Sequence, residues 1–125
     1  MKITIFAFLM GLGIVAPAAL AHHGDAAFDT SSKITMKGTV TDFHYTNPHC
    51  VIDFDVKDDK GAIQSWQGEL SSASNLAAKG WTAATLQEGM KITVTGYKAK
   101  SGVTTMRITK LLDANGKEIQ LEYGN

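Results

Sequence analysis

His49-Cys50-Val51-Ile52-Asp53-Phe54-Asp55-Val56 is the stretch from which the fold is read. Its period is two. Cys50, Ile52, Phe54 and Val56 fall on one face and His49, Asp53 and Asp55 on the other, the pattern of a strand buried on one side and wet on the other. The first set is expected in the core. Upstream, Thr46-Asn47-Pro48 ends an earlier strand, because proline donates no ladder hydrogen bond and holds the residue before it extended. Ile34 to Tyr45, rich in Thr, Val, Phe and Tyr, reads as that strand. Its alternation slips, with Val40 on one parity and Phe43 and Tyr45 on the other. A bulge near Asp42 is therefore expected, the device that bends a strand around a small barrel.

Downstream, Asp58-Asp59-Lys60-Gly61 is a turn signal, and Ile63 to Leu70 reads as the returning strand of a hairpin with Trp66 and Leu70 buried. Ser71 or Ser72 can cap a short helix through about Lys79, with Gly80 ending it in the left-handed region. Thr82 to Leu86 suggests one more helical turn. Met90, Ile92 and Val94 alternate with Lys91, Thr93 and Thr95 in a further strand, Thr104 to Leu112 gives another, and Glu118 to Tyr123 a last short one. The order β-β-β-α-β-β predicts a mainly β fold: a small five- or six-stranded OB-like barrel with one short helix between the third and fourth strands.

The chain begins Met1-Lys2, runs apolar from Ile3 to Val15, and then offers Ala16-Pro17-Ala18-Ala19-Leu20-Ala21. A positive start, a short apolar run and small residues before a cut define a secretory signal peptide over residues 1–21. The apolar run is too short to span a bilayer, which takes about 20 residues, so no membrane span is expected after processing. A cut after Ala18 is the competing site. Residues 22–125 then form a single domain, periplasmic or secreted. With Lys2 removed, eleven of the twelve basic side chains remain against twelve acidic ones. This near-neutral balance predicts no nucleic-acid partner and no attraction to anionic lipid. The lone Cys50 cannot close an internal disulfide.

Several short segments together carry a resemblance: Ala21-His22-His23-Gly24, Ala27-Phe28-Asp29, Lys37-Gly38-Thr39-Val40, Thr46-Asn47-Pro48-His49, Lys79-Gly80-Trp81 and Gly89-Met90-Lys91-Ile92-Thr93-Val94-Thr95-Gly96. In this combination the chain resembles an exported bacterial family, the domain of unknown function numbered 6152. The resemblance covers nearly all of the mature chain. It implies export and a small β-barrel, and it implies no activity.

The chemistry concentrates in four histidines. A cut after Ala21 makes His22 the first residue, and its free amine and imidazole can chelate one ion together. A further imidazole would complete a three-nitrogen set of the histidine-brace kind, which suits copper(II). The terminal amine titrates at about 7.7 to 8.0, low enough for a metal to displace its proton near neutrality. His22, His23, His49 and His44 are the candidate ligands, since His44 and His49 flank the Thr46-Asn47-Pro48 turn. The competing readings are structural. The His22-His23 pair can be a polar lead-in, His49 can sit on the wet face, and His44, on the parity of Val40, can be a partly buried, hydrogen-bonded histidine. Cys50 alternates with Ile52 and Phe54 and reads as a small buried hydrophobe.

Two function classes follow. One is a periplasmic metal-binding protein, with a copper ion as its cofactor, acting in storage, delivery or resistance. The other is an OB-like periplasmic adaptor that binds a protein, peptide or small ligand without metal. An enzyme ranks third, because no acid/base pair or nucleophile constellation is visible.

Overall fold

The computed structural model describes residues 25–121; the proposed signal peptide, His22 and His23 lie outside them. Five strands form a closed barrel: β1 (Ile34–His44), β2 (Val51–Lys57), β3 (Ile63–Glu69), β4 (Lys91–Lys98) and β5 (Thr105–Leu112), in the spatial order β1-β2-β3-β5-β4. One short helix, α1 (Ala73–Ala77), lies between β3 and β4. All pairings are antiparallel except β3 with β5, which is parallel and brief, from Gln67–Thr105 to Glu69–Arg107. This is the expected mainly β, OB-like barrel.

β1 belongs to both halves of the barrel. Its first part, Ile34 to Thr39, pairs with β4, and its second, Thr39 to His44, pairs with β2. The strand can serve both because its register shifts between Val40 and Asp42. Two glycines make room for the bend. A β-carbon at Gly38 would stand 2.8 Å from the Phe54 ring and 2.9 Å from the Asp55 carbonyl, and one at Gly68 would stand 3.3 Å from the same ring. Phe54 therefore fills the space left at Gly38, while at Gly68 Ile108 comes nearer still, with the edge of the Phe54 ring beside it. Around it pack Val40, Cys50, Ile52, Trp66, Val94, Met106 and Leu111, all buried.

Below the barrel, α1 is capped by the Ser72 hydroxyl, which accepts from the Asn75 N–H at 3.1 Å. The helix stops at Ala77, before Lys79, and Gly80 follows with φ of 86°. Thr82 to Leu86 forms turns rather than a helical turn, its backbone held by the Thr82 and Thr85 hydroxyls. Trp81 turns inward and donates its indole N–H to the Gln120 carbonyl at 2.7 Å, which ties the C-terminal segment to the core. Among the described residues the expected last strand is reduced to a single bridge between Leu112 and Glu118.

Phe54→Ala should cost about 3–5 kcal/mol of stability in urea unfolding, the range for emptying a buried aromatic site. Gly38→Ala should cost about 1–3 kcal/mol by overpacking against that ring and the Asp55 carbonyl.

Candidate metal centre on the outer face of β1 and β2

The register shift in β1 governs which side chains reach this face. Val40 points inward, but after the shift Phe43 packs against the core and Asp42 and His44 point outward. The competing reading of His44 as a partly buried, hydrogen-bonded histidine holds as to the hydrogen bond, but its basis in the Val40 parity does not, because one extra residue in the strand reverses the face of everything after it and turns His44 outward. His44 is 47% exposed. On the facing strand, Asp53 sits opposite Asp42 in the register.

Three donors thus meet from two strands. His44 Nε2 lies 2.8 Å from Asp53 Oδ2 and 3.5 Å from Asp42 Oδ2. The ligating atoms of Asp42, His44 and Asp53 all fall within 4.8 Å of one another, the one such group of three among the described residues. The carboxylates are oriented by groups behind them. The Phe43 N–H donates to Asp42 Oδ1 at 2.8 Å, and the Gln67 amide donates to Asp53 Oδ1 at 3.1 Å. Each aspartate therefore keeps its second oxygen for the imidazole or for an ion in its place.

The hydrogen bond to Asp53 raises the His44 pKa above its ordinary 6.5, with the negative charges of Asp42 and Asp53 adding to it and partial desolvation opposing. Its folded value lies above the unfolded one. The stabilisation from this contact is therefore complete below the unfolded pKa and is lost as pH rises through the raised folded pKa.

His49 lies elsewhere. It lines a small cleft of about 160 Å³ with Pro48, Glu69, Ser71, Ser72 and Arg107, and it is not part of the three-donor group. Cys50 is fully buried, donates its thiol to the Thr46 carbonyl at 3.5 Å, and has its pKa pushed up by burial. This is the buried hydrophobe expected, and a thiol kept protonated has little nucleophilicity. Sequence reasoning placed Asp42 at a bulge and Asp53 on the wet face of a strand, and missed both as partners of His44. A signal existed: Asp42 and His44 are two apart on one strand, and Asp53 stands on the strand that follows the turn.

The fold and this site define a small closed OB-type barrel carrying a cross-strand His/Asp/Asp group on its outside. By sequence, the chain belongs to the family of unknown function DUF6152, whose profile matches residues 11–107. None of the curated protein sequences matches it. Among solved structures, a crystal form of the mitochondrial single-stranded DNA binding protein of S. cerevisiae, Rim1, superposes with a TM-score of 0.51 at 9% identity, covering 66% of this chain and 93% of that one. A selenomethionine form of the same protein gives 0.50 at 10% identity, covering 71% and 97%.

This likeness corrects the expectation that nucleic acid is excluded as a partner. That exclusion rested on net charge, and net charge is blind to where charges sit. The barrel is a scaffold shared with a protein named for binding single-stranded DNA. Its own charges, moreover, are sorted by strand: Lys33 to Thr41, Met90 to Lys100 and Val103 to Leu112 contain no Asp or Glu, whereas β1 after the bulge and β2 carry Asp42, Asp53 and Asp55.

NMR titration of the imidazole should place the His44 pKa above 6.5, and Asp53→Asn should bring it down by more than Asp42→Asn does. Iodoacetamide should leave Cys50 unmodified in the native protein and label it on unfolding in urea.

Proposed function

We propose that this is an exported metal-binding barrel that holds a divalent transition ion, copper(II) foremost, in storage, delivery or resistance. The observation that carries the reading is the convergence of His44 Nε2 with one oxygen each of Asp42 and Asp53. Ligands about 2.0–2.2 Å from a common ion stand roughly 3 Å apart, and the 2.8 and 3.5 Å separations here bracket that spacing. An imidazole with two carboxylates suits zinc, nickel or copper(II), and copper(II) binds most tightly of these at a given site. Three donors on an open face leave coordination positions free. The amine and imidazole of a processed His22, with His23, are the nitrogen donors proposed to fill them.

The test is a copper(II) titration of the processed protein, followed by calorimetry and by electron paramagnetic resonance. About one equivalent should bind, with at least one nitrogen from imidazole. His44→Ala should weaken binding by about tenfold or more, and Asp53→Asn by a smaller factor. An alanine placed ahead of His22 should weaken it further, because the amine becomes an amide. Affinity should fall as pH drops, since the ion must displace the His44 proton that Asp53 helps to hold. Equal affinity in the native and His44→Ala proteins would remove His44 from the site.

A second reading is favoured by a separate observation, the barrel shared with the yeast protein together with the acid-free strands β4 and β5. On this reading the barrel binds single-stranded nucleic acid. It needs no metal, and the two readings use different strands of the barrel's outer surface.

A further inference from the structure

The strands β1 before its bulge, β4 and β5, with the residues just beside them, hold seven of the chain's basic side chains: Lys33 and Lys37, then Lys91, Lys98 and Lys100, then Arg107 and Lys110. Register brings many of these onto one surface. Thr39 pairs with Lys91 and Lys37 with Thr93, so Lys37 and Lys91 are diagonal neighbours across two strands. On the other flank of β4, Thr95 pairs with Lys110 and Tyr97 with Arg107. Like charges so placed repel at short range, and sheets ordinarily intersperse opposite charges to avoid this. Among the described residues no carboxylate lies within 4.0 Å of the Lys33, Lys37, Lys91 or Lys110 ammonium groups. The repulsion is thus retained in a chain whose acidic and basic side chains are equal in number.

This surface is concave at one end. A groove of about 900 Å³ is lined by Lys37 and Thr39 of β1, Lys57 of β2, Lys91 and Thr93 of β4, and the turn after β5. Asp55 and Asp113 also line it. Both are engaged: Asp55 Oδ1 accepts from the Ser65 hydroxyl at 2.7 Å, and Asp113 Oδ1 accepts from the Asn115 and Lys117 N–H groups. Lys91 is held at the floor by its bond to the Thr39 hydroxyl at 2.7 Å. From the groove, the outward side chains of β4 run Lys91, Thr93, Thr95, Tyr97, a track of about 20 Å at the strand rise. The hydroxyls of Thr35 and Thr95 meet at 2.8 Å in its middle, and Lys33 stands 5.4 Å from the Tyr97 ring at its far end.

We infer that the lysine-rich face formed by β1 before its bulge, β4 and β5 is a track for single-stranded nucleic acid, with phosphates on Lys37, Lys91 and Lys110 and a base against Tyr97. The inference rests on the second reading above and adds the surface and the residues. Lysines and threonine hydroxyls in file suit phosphate oxygens, which take most protein contacts in such complexes. An aromatic ring beside cations offers the stacking platform that single strands use without sequence preference.

Fluorescence anisotropy with a labelled fifteen-nucleotide oligothymidine tests this, in 20 mM and 150 mM salt. Saturable binding that weakens steeply with salt is expected. Lys37→Glu with Lys91→Glu should lower affinity at least tenfold, and Tyr97→Ala severalfold. Lys79→Glu changes the net charge as much as Lys91→Glu alone but away from the track, and it should cost less than threefold where Lys91→Glu costs more. Circular dichroism of each variant confirms folding, and all three lysines are exposed. If the oligonucleotide binds and Lys79→Glu weakens it as much as Lys91→Glu, the track is wrong while the nucleic-acid reading stands. If it fails to bind in 20 mM salt, both fall. Binding of heparin but not of oligothymidine overturns the inference in favour of a sulfated polymer.

Discussion

The displaced register of β1 between Val40 and Asp42 is the constraint on which the rest of this structure depends. A five-stranded sheet closes only if one strand bends sharply enough to pair with both of its neighbours, and β1 does so by shifting its ladder there. The bend is supported from inside. Phe54 lies over Gly38, and Ile108 with the edge of the Phe54 ring lies over Gly68, where a β-carbon would collide, so the core side chains and the two glycines form one unit. The same shift has a second result. It reverses the faces of the residues that follow, which keeps Phe43 in the core and turns Asp42 and His44 outward.

Because of that reversal, one strand presents two chemistries. Before the bulge, β1 contributes Lys37 to a surface shared with Lys91 of β4. After it, β1 contributes Asp42 and His44 to a surface shared with Asp53 of β2. Each surface is built across strands, and each is held by contacts within it: Gln67 and the Phe43 N–H orient the carboxylates, and the Thr39 hydroxyl holds Lys91. Cations and anions that cancel in the sum are thereby separated in space. A barrel of this kind can offer donors to a metal ion on one side and to phosphate on the other.

Much of the architecture was legible because its signals are local. The alternation of Cys50, Ile52 and Phe54 placed β2 and its buried face, and Ser72 and Gly80 marked the ends of the helix within a few residues. The bulge was visible as a broken period between Val40 and Phe43. Its consequence for His44 was missed, since parity was carried from Val40 straight through the shift. The segment Thr82 to Leu86 misled in another way. Its small residues tolerate a helix, but the Thr82 and Thr85 hydroxyls bond backbone N–H groups and hold turns instead.

The sequence by itself determined the strands, the buried faces and the family, because hydrophobic period and turn residues act between near neighbours. Only the tertiary structure decided which polar residues meet. Asp53 reaches His44, and Lys37 lies beside Lys91, through ladder registers between strands as far as 54 residues apart, and register follows from how the whole barrel packs. The physical reason is that a side chain's partner across a sheet is fixed by closure of the barrel, which no single segment encodes.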